Sequence, residues 1–490
     1  MTKAKIFFKR LPILLGPLVA LVISNLPAPD PAYPNIMLMA GVTCWIALWW
    51  LTEVIHLAVT SLLPFLLLPI LGICDFKVVA AQYMDPILFL FIGGFFMAFA
   101  IEGSGLHKRI ALKILSITGK SSSSLLFGLM FTAYFISMWI SNTATVMMLL
   151  AAVFAVITHL KPHIKFETHY NELACTLLVG LAYAANIGGM ATLVGTPTNM
   201  IFYRAYTEAY PLATNMNFFT WFQVGLPISF LLFISAWFIV RTHFGKDNLK
   251  QTFSPTIFKE EYLSLGKITT DEKRVGILFL FAAVLWFTRS NIEFGSFQFY
   301  GWSNLFPYPD QLQDSSVAIA IAVLLFLIPS KNKPTRRLLE WDDASRLPYD
   351  IILLFGSGFA LAKGFDESGL SKWLALKLFF LNDYHPILIL FVVCLMVTII
   401  SEFASNVASI QLVLPILIAL QQATQLSPLL LLVPATLAAS LGFMLPIATA
   451  PNTIVFSSGK IKVKEMAKFG FFTNLAGIFL ITIICYLVYK

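Results

Sequence analysis

Apolar runs recur from one end of the chain to the other, at 11–26, 35–52, 54–73, 85–101, 218–240, 275–288, 315–329, 349–362 and 469–489. Each is close to the roughly 20 residues that carry a helix across a bilayer. One stretch does not fit that spacing. Residues 121–160 contain no Asp, Glu, Lys or Arg and are bracketed by Lys120 and Lys161. That is about twice the length of one span at about 1.5 Å per residue. A helical hairpin that enters and leaves by one face accounts for it, with its tip in "ISNTATVMML" (140–149) at Ser141-Asn142-Thr143. Ser and Asn side chains accept from the unpaired N–H groups that open a helix, so they suit the start of the returning arm. The pair recurs as Ser405-Asn406 in "ASNVASIQLV" (404–413), within a second predicted hairpin from about Pro386 to Gln422.

The recurrence belongs to an internal repeat. "FIGGFFMAFAIEGSGLHKRIALK" (91–113) aligns without gaps on "FGSGFALAKGFDESGLSKWLALK" (355–377) at an offset of 264, which also carries Ser141-Asn142 onto Ser405-Asn406. Further on, "GTPTNMIF" (195–202) matches "ATAPNTIV" (448–455) at an offset of 253. Proline lacks an N–H and obstructs a helix, so Pro197 and Pro451 are expected to break their spans in mid-membrane. Broken backbone at that depth is tolerated only where protein buries it or where it lines a cavity.

Composition narrows the class. The 490 residues are 58% hydrophobic and only 12% charged, far from a soluble protein and as expected of a polytopic helical membrane protein. The five cysteines are scattered without zinc or CxxC spacing, and the histidines form no metal pattern. The net charge of +8 reads as topology. With a cytoplasmic N-terminus, the segments 1–10, 103–120, 161–172, 241–274, 331–349 and 460–468 fall inside and hold 26 of the 33 Lys and Arg. Nucleic-acid binding is therefore not expected. The amphipathic segment 102–120 carries four basic residues and one acidic, while its counterpart 363–383 carries three of each. The first belongs inside and the second outside, so the repeats are expected to be inverted, as in secondary transporters.

The predicted site is almost neutral. Windows 137–152, 186–203 and 444–459 hold no charged residue, and 401–415 holds only Glu402. Glu402 reads equally as a functional acid or as a hydrogen-bonded structural one. Glu53 and the lone His56 read as structural. Four helix N-termini would favour an anion, and bound cations on free carbonyls would supply the remaining charge. No His or Lys stands near Ser141 or Ser405 in sequence, which argues against a membrane hydrolase. Paired hairpins argue for alternating access over a passive channel.

"SNTAT" and "SNVAS", joined by "GTPTN" and "ATAPN", resemble the divalent anion/sodium symporter family over nearly the whole chain. The resemblance implies an all-α polytopic protein with about 11 transmembrane helices plus two re-entrant hairpins in two inverted repeats. It implies a homodimer embedded in membrane lipid and working as an elevator. Residues 1–120 would be scaffold helices of repeat 1, and 121–240 the transport-domain hairpin and broken helix of that repeat. Residues 241–383 would be a cytoplasmic linker and the scaffold helices of repeat 2, and 384–490 its transport-domain hairpin and broken helix. The coupling ion would be sodium, at one site made by Ser137, Ser141, Asn142 and Gly195 and another made by Ser401, Ala404, Asn406 and Ala448. A dicarboxylate would meet Asn142, Thr143, Ser405, Asn406, and Thr196 or Pro197, with Thr449 a weaker candidate. The departure is Val407, where many bacterial members carry Thr, so the two carboxylate-binding halves become unequal. A sodium-independent dicarboxylate exchanger and a sulfate or citrate transporter share the pattern and stay open.

Overall fold

The computed structural model describes residues 3–118, 121–161, 167–213, 216–242, 256–294 and 297–490. Lys120 and parts of the basic segments 161–172 and 241–274 lie outside them. The described residues are mostly helical, with one antiparallel ribbon among them, Ile292–Phe294 against Phe297–Phe299, that the apolar pattern did not announce. Six helices among the described residues are long and apolar enough to cross a bilayer, and shorter apolar helices fill the space between them. The protein is a multi-pass membrane protein.

The repeat is visible in backbone detail. Helix Pro86–Ser104 turns into Leu106–Thr118 at Gly105, and Tyr349–Glu367 reaches Leu370–Leu378 through Gly369. Both glycines are left-handed, with φ of 82° and 76°, a conformation that a Cβ would strain. Beside them, Ser104 and Ser368 each donate to the carbonyl three residues back and accept from the amide two residues on.

Both expected hairpins form. Ser122–Ser137 returns as Asn142–Leu160, and Pro386–Phe403 returns as Asn406–Thr424. Each is followed by a broken helix: Glu167–Gly189 then Pro197–Ala209, and Pro428–Ala439 then Ala450–Phe456. The breaks lie upstream of the prolines, at 190–196 and 440–449. Pro197 and Pro451 instead sit in the first turn of the second halves, where a missing N–H costs nothing because those donors are free anyway.

The first halves of the broken helices form the centre. Leu173–Gly189 and Leu430–Ala439 are buried on every side, as suits residues that are apolar or small nearly all round, with Asn186 the main exception. The hairpins pack across the repeats: Asn142–Leu160 lies on Ala450–Phe456, and Asn406–Thr424 lies on Pro197–Ala209. The run 54–73, uniform in sequence, is two short helices, Leu57–Thr60 and Leu63–Ile70. His56 caps the first through its ring nitrogen, and Pro64 opens the second.

Candidate functional site

Ser141 and Ser405 take the N-cap positions that their types predict. Ser141 Oγ accepts from Ala144 N at 3.3 Å, and Ser405 Oγ from Ala408 N at 3.2 Å. The following residue, Asn142 or Asn406, folds its side chain back toward the incoming arm. Ser137 Oγ donates to Asn142 Oδ1 at 2.6 Å, and Ser401 Oγ lies 2.8 Å from Asn406 Oδ1. Ser401 Oγ is also 2.5 Å from the Ala439 carbonyl. A hydroxyl has one hydrogen, so three oxygens here share a single donor. That surplus of acceptors is what a small cation would satisfy.

The break loops close each cluster. A Cβ on Gly195 would stand 2.6 Å from the Gly189 carbonyl, and one on Gly189 would stand 2.6 Å from Asn142 Oδ1. Ser137, Asn142 and Gly195 are therefore gathered around Gly189, which has no room for a side chain. In repeat 2 the gap above Gly442 is bounded by Ala448 Cβ, Asn406 Oδ1 and Thr449 Cγ2, each 3.2–3.3 Å from where its Cβ would be. The loops are clasped by two asparagines at matching positions. Asn199 Nδ2 donates to Gly189 O at 3.0 Å and Thr192 O at 2.7 Å. Asn452 Nδ2 donates to Gly442 O at 2.9 Å and Leu445 O at 3.1 Å.

The remaining expected residues are placed less closely. Thr196 and Thr449 are both buried N-caps, but only Thr449 caps with its side chain, accepting from Asn452 N at 3.3 Å. Thr143, Pro197 and Val407 are half-buried, and Ala404 is buried in the link between hairpin arms. Val407 packs against apolar clusters on two sides. Charge compensation from four helix termini needs correcting. Ala450–Phe456 has seven residues, too short to develop a full macrodipole, so the effect rests on the other three.

Glu402 is the one acid in these windows, and four donors meet its carboxylate. Phe443 N, Met444 N and Leu445 N lie at 2.9, 2.8 and 3.0 Å, and Asn474 Nδ2 at 2.6 Å. The structural reading of Glu402 is the one this geometry supports. Three polar residues escaped the motif reading. Asn199 and Asn452 close the motifs "GTPTN" and "ATAPN", and their matched places were the available signal. Asn186 stands among alanines in "LAYAANIGG" with no motif to mark it.

A family model described as the sodium:sulfate symporter transmembrane region matches residues 8–489. The sodium-dependent dicarboxylate transporter SdcS of Staphylococcus saprophyticus is 38% identical over 479 residues, covering 97% of this chain and 90% of that protein. SdcS of Staphylococcus aureus is 38% identical over 484 residues with the same coverage. Among solved structures, MtrF of Neisseria gonorrhoeae has a TM-score of 0.54 at 14% identity, covering 97% of this chain and 94% of its own. The YdaH transporter of Alcanivorax borkumensis has a TM-score of 0.53 at 12% identity, covering 98% and 97%. At such low identity these two speak for the fold alone. Duplicated Ser-Asn hairpin tips, break loops clasped by asparagine, and a family match from end to end agree, and the chain belongs to the sodium:sulfate symporter family.

Proposed function

We propose that the chain is a secondary active transporter that moves small divalent organic anions, C4 dicarboxylates such as succinate, malate and fumarate, with sodium as the coupling ion. The observation that carries this reading is the doubled acceptor cluster, Ser137–Asn142 beside Gly189 and Ser401–Asn406 beside Gly442. Each offers neutral oxygens to a cation next to helix N-termini that favour an anion. Sodium would sit at Ser137, Ser141, Asn142 and Gly195, and again at Ser401, Ala404, Asn406 and Ala448. The substrate carboxylates would meet Asn142, Thr143, Ser405, Asn406, Thr196, Pro197 and Thr449, with Val407 supplying an apolar wall where a hydroxyl is missing. The relatives named as sodium-dependent dicarboxylate transporters support both the ion and the substrate class.

Movement would follow an elevator scheme within a homodimer in the cell membrane, with the N-terminus cytoplasmic. Residues 121–240 and 384–490 would travel as a transport domain against scaffold helices in 1–120 and 241–383. The second reading is a sodium-independent exchanger, or a carrier of sulfate or citrate, and Val407 is what keeps it in view. Uptake of labelled succinate, citrate and sulfate into proteoliposomes separates the readings. Succinate uptake that needs an inward sodium gradient supports the symporter. Uptake that needs internal dicarboxylate and ignores sodium overturns it in favour of the exchanger.

A further inference from the structure

Asn186 lies near the end of Glu167–Gly189 with 1% of its surface exposed, and its repeat partner at an offset of 253 is Ala439. Whatever it does is done once, not twice. Its side chain touches both halves of the site. Asn142 Nδ2 donates to Asn186 Oδ1 at 3.4 Å, while Asn186 Nδ2 donates to Thr449 Oγ1 at 3.0 Å and to Asn452 Oδ1 at 3.4 Å. The two 3.4 Å contacts are long for hydrogen bonds, so their value lies in orientation more than in strength.

That orientation is forced, step by step. The Gly442 and Leu445 carbonyls only accept, so Asn452 turns its Nδ2 toward them and its Oδ1 toward Asn186. Asn186 must answer with Nδ2, which leaves its Oδ1 facing Asn142. Asn142 must in turn present Nδ2 there, which leaves its own Oδ1 beside Ser137. Thr449 is fixed by the same contacts. Its Oγ1 accepts from Asn186 Nδ2 and from Asn452 N, which occupies both lone pairs. What remains is one hydroxyl hydrogen, and a carboxylate is an acceptor only.

We propose that Asn186 is a positioning residue for transport: it holds the Asn142 carbonyl oxygen toward the repeat 1 cation and makes the Thr449 hydroxyl a donor to the anion. It thereby links cation binding in one repeat to anion binding in the other. A cation on Asn142 Oδ1 polarises that amide, strengthens its donation to Asn186, and passes the effect on to Thr449. The proposal rests on the sodium–dicarboxylate reading above.

The test uses the full-length purified protein and equilibrium binding of labelled succinate while sodium replaces choline at constant ionic strength. Asn186→Ala should weaken succinate binding at saturating sodium by about tenfold, the worth of one hydrogen bond to a charged group. The factor by which sodium tightens succinate should shrink as well. Thr449→Val should weaken succinate similarly, and the double variant should bind no worse than the poorer single variant, since both remove one donor. Unchanged affinity in Asn186→Ala, or fully additive losses, overturns the proposal. So does a lowered melting temperature with sodium linkage intact, which is the mark of a purely structural residue. Should Asn186→Ala fail to fold, the isosteric Asn186→Asp decides. Its added oxygen would capture the Thr449 proton, so succinate binding should be lost while sodium binding persists, and retained succinate binding overturns the idea. A wild-type protein that binds succinate without regard to sodium overturns the functional reading itself, and the proposal with it.

Discussion

Glu402 and Met138 stand at equivalent positions, 264 residues apart, and each fastens a break loop by accepting from it. Met138 offers its backbone carbonyl to the Thr192 hydroxyl at 2.5 Å. Glu402 accepts with its side-chain carboxylate instead, from the backbone amides of Phe443, Met444 and Leu445. Thr192 and Leu445 are themselves repeat partners at the offset of 253. Each hairpin therefore grips the break loop of its own repeat just before its tip: repeat 1 meets one hydroxyl with one carbonyl, and repeat 2 meets three backbone N–H groups with a carboxylate.

Replacing that anion should cost stability. In Glu402→Gln the amide that keeps its oxygen toward Phe443, Met444 and Asn474 must turn its NH2 onto the Leu445 N–H, now 3.0 Å from Oε2. Donor then faces donor, and the remaining bonds lose their charge assistance. A loss of about 2–3 kcal/mol is expected. Thermal unfolding in detergent should show a lowered midpoint, with transport falling in step with folded protein. A variant of wild-type stability would mean that the carboxylate is not holding the 443–445 loop.

How much of this was legible in sequence depended on range. Ser141, Ser405, Pro197 and Pro451 act on their own backbone, so hairpin tips and the presence of the breaks followed from local chemistry, while the breaks themselves lie just upstream of the prolines. The repeat followed because Gly105 and Gly369 must both be left-handed, and the surrounding residues kept one register. Asn186 was not legible, because its partners lie 44, 263 and 266 residues away and its neighbours are alanine. The same holds for Arg109, buried against Glu272 and three carbonyls from 156 residues or more downstream. The break inside 54–73 was hidden for another reason: an apolar run shows where membrane is crossed, not whether the helix is continuous.

The hairpin tips are the site only if their asparagines are needed. Asn142→Ala removes the oxygen that faces Ser137, and Asn406→Ala removes one of the two oxygens that face Ser401. Either variant should insert, purify and melt within a few degrees of wild type, yet take up no succinate above background. Near-normal uptake at equal expression by either one would sink the assignment.

Val407 tests selectivity. It is half-buried and reaches apolar clusters on two sides, so Val407→Thr keeps the shape while setting one hydroxyl at the end of the second Ser-Asn pair. Such a hydroxyl is worth most to a ligand able to pair with it. The relative affinities of succinate, citrate and sulfate should change, with little change in the melting temperature. An unaltered ranking would place residue 407 away from the ligand.

Lys113 and Lys377 are repeat partners, both exposed, on the short helices that follow the two left-handed glycines. In an inverted pair they face opposite sides of the membrane. In a background without the native cysteines, Lys113→Cys should react with an impermeant thiol reagent only from the cytoplasmic side. Lys377→Cys should react only from outside. Reaction of both from one side would make the repeats parallel and remove the case for alternating access.

Coupling is the sharpest consequence of a neutral site. A dicarboxylate brings about two negative charges toward the low-dielectric midplane, and the site motifs carry no Lys or Arg to meet them. An uncompensated ion there costs several kcal/mol even after relaxation. Three full helix N-termini offset part of this, but their field is the same with or without ligand. Glu402 adds a negative charge already matched by its own four donors. Cations on Asn142 Oδ1 and Asn406 Oδ1 would supply positive charge where the anion needs it. Sodium and dicarboxylate should then raise each other's affinity by one common factor, as linkage requires. Equilibrium succinate binding, measured as sodium replaces choline at constant ionic strength, should tighten steadily, and sodium binding should tighten equally when succinate is added. Succinate affinity that stays flat across the titration would remove sodium from the site and leave exchange as the mode of transport.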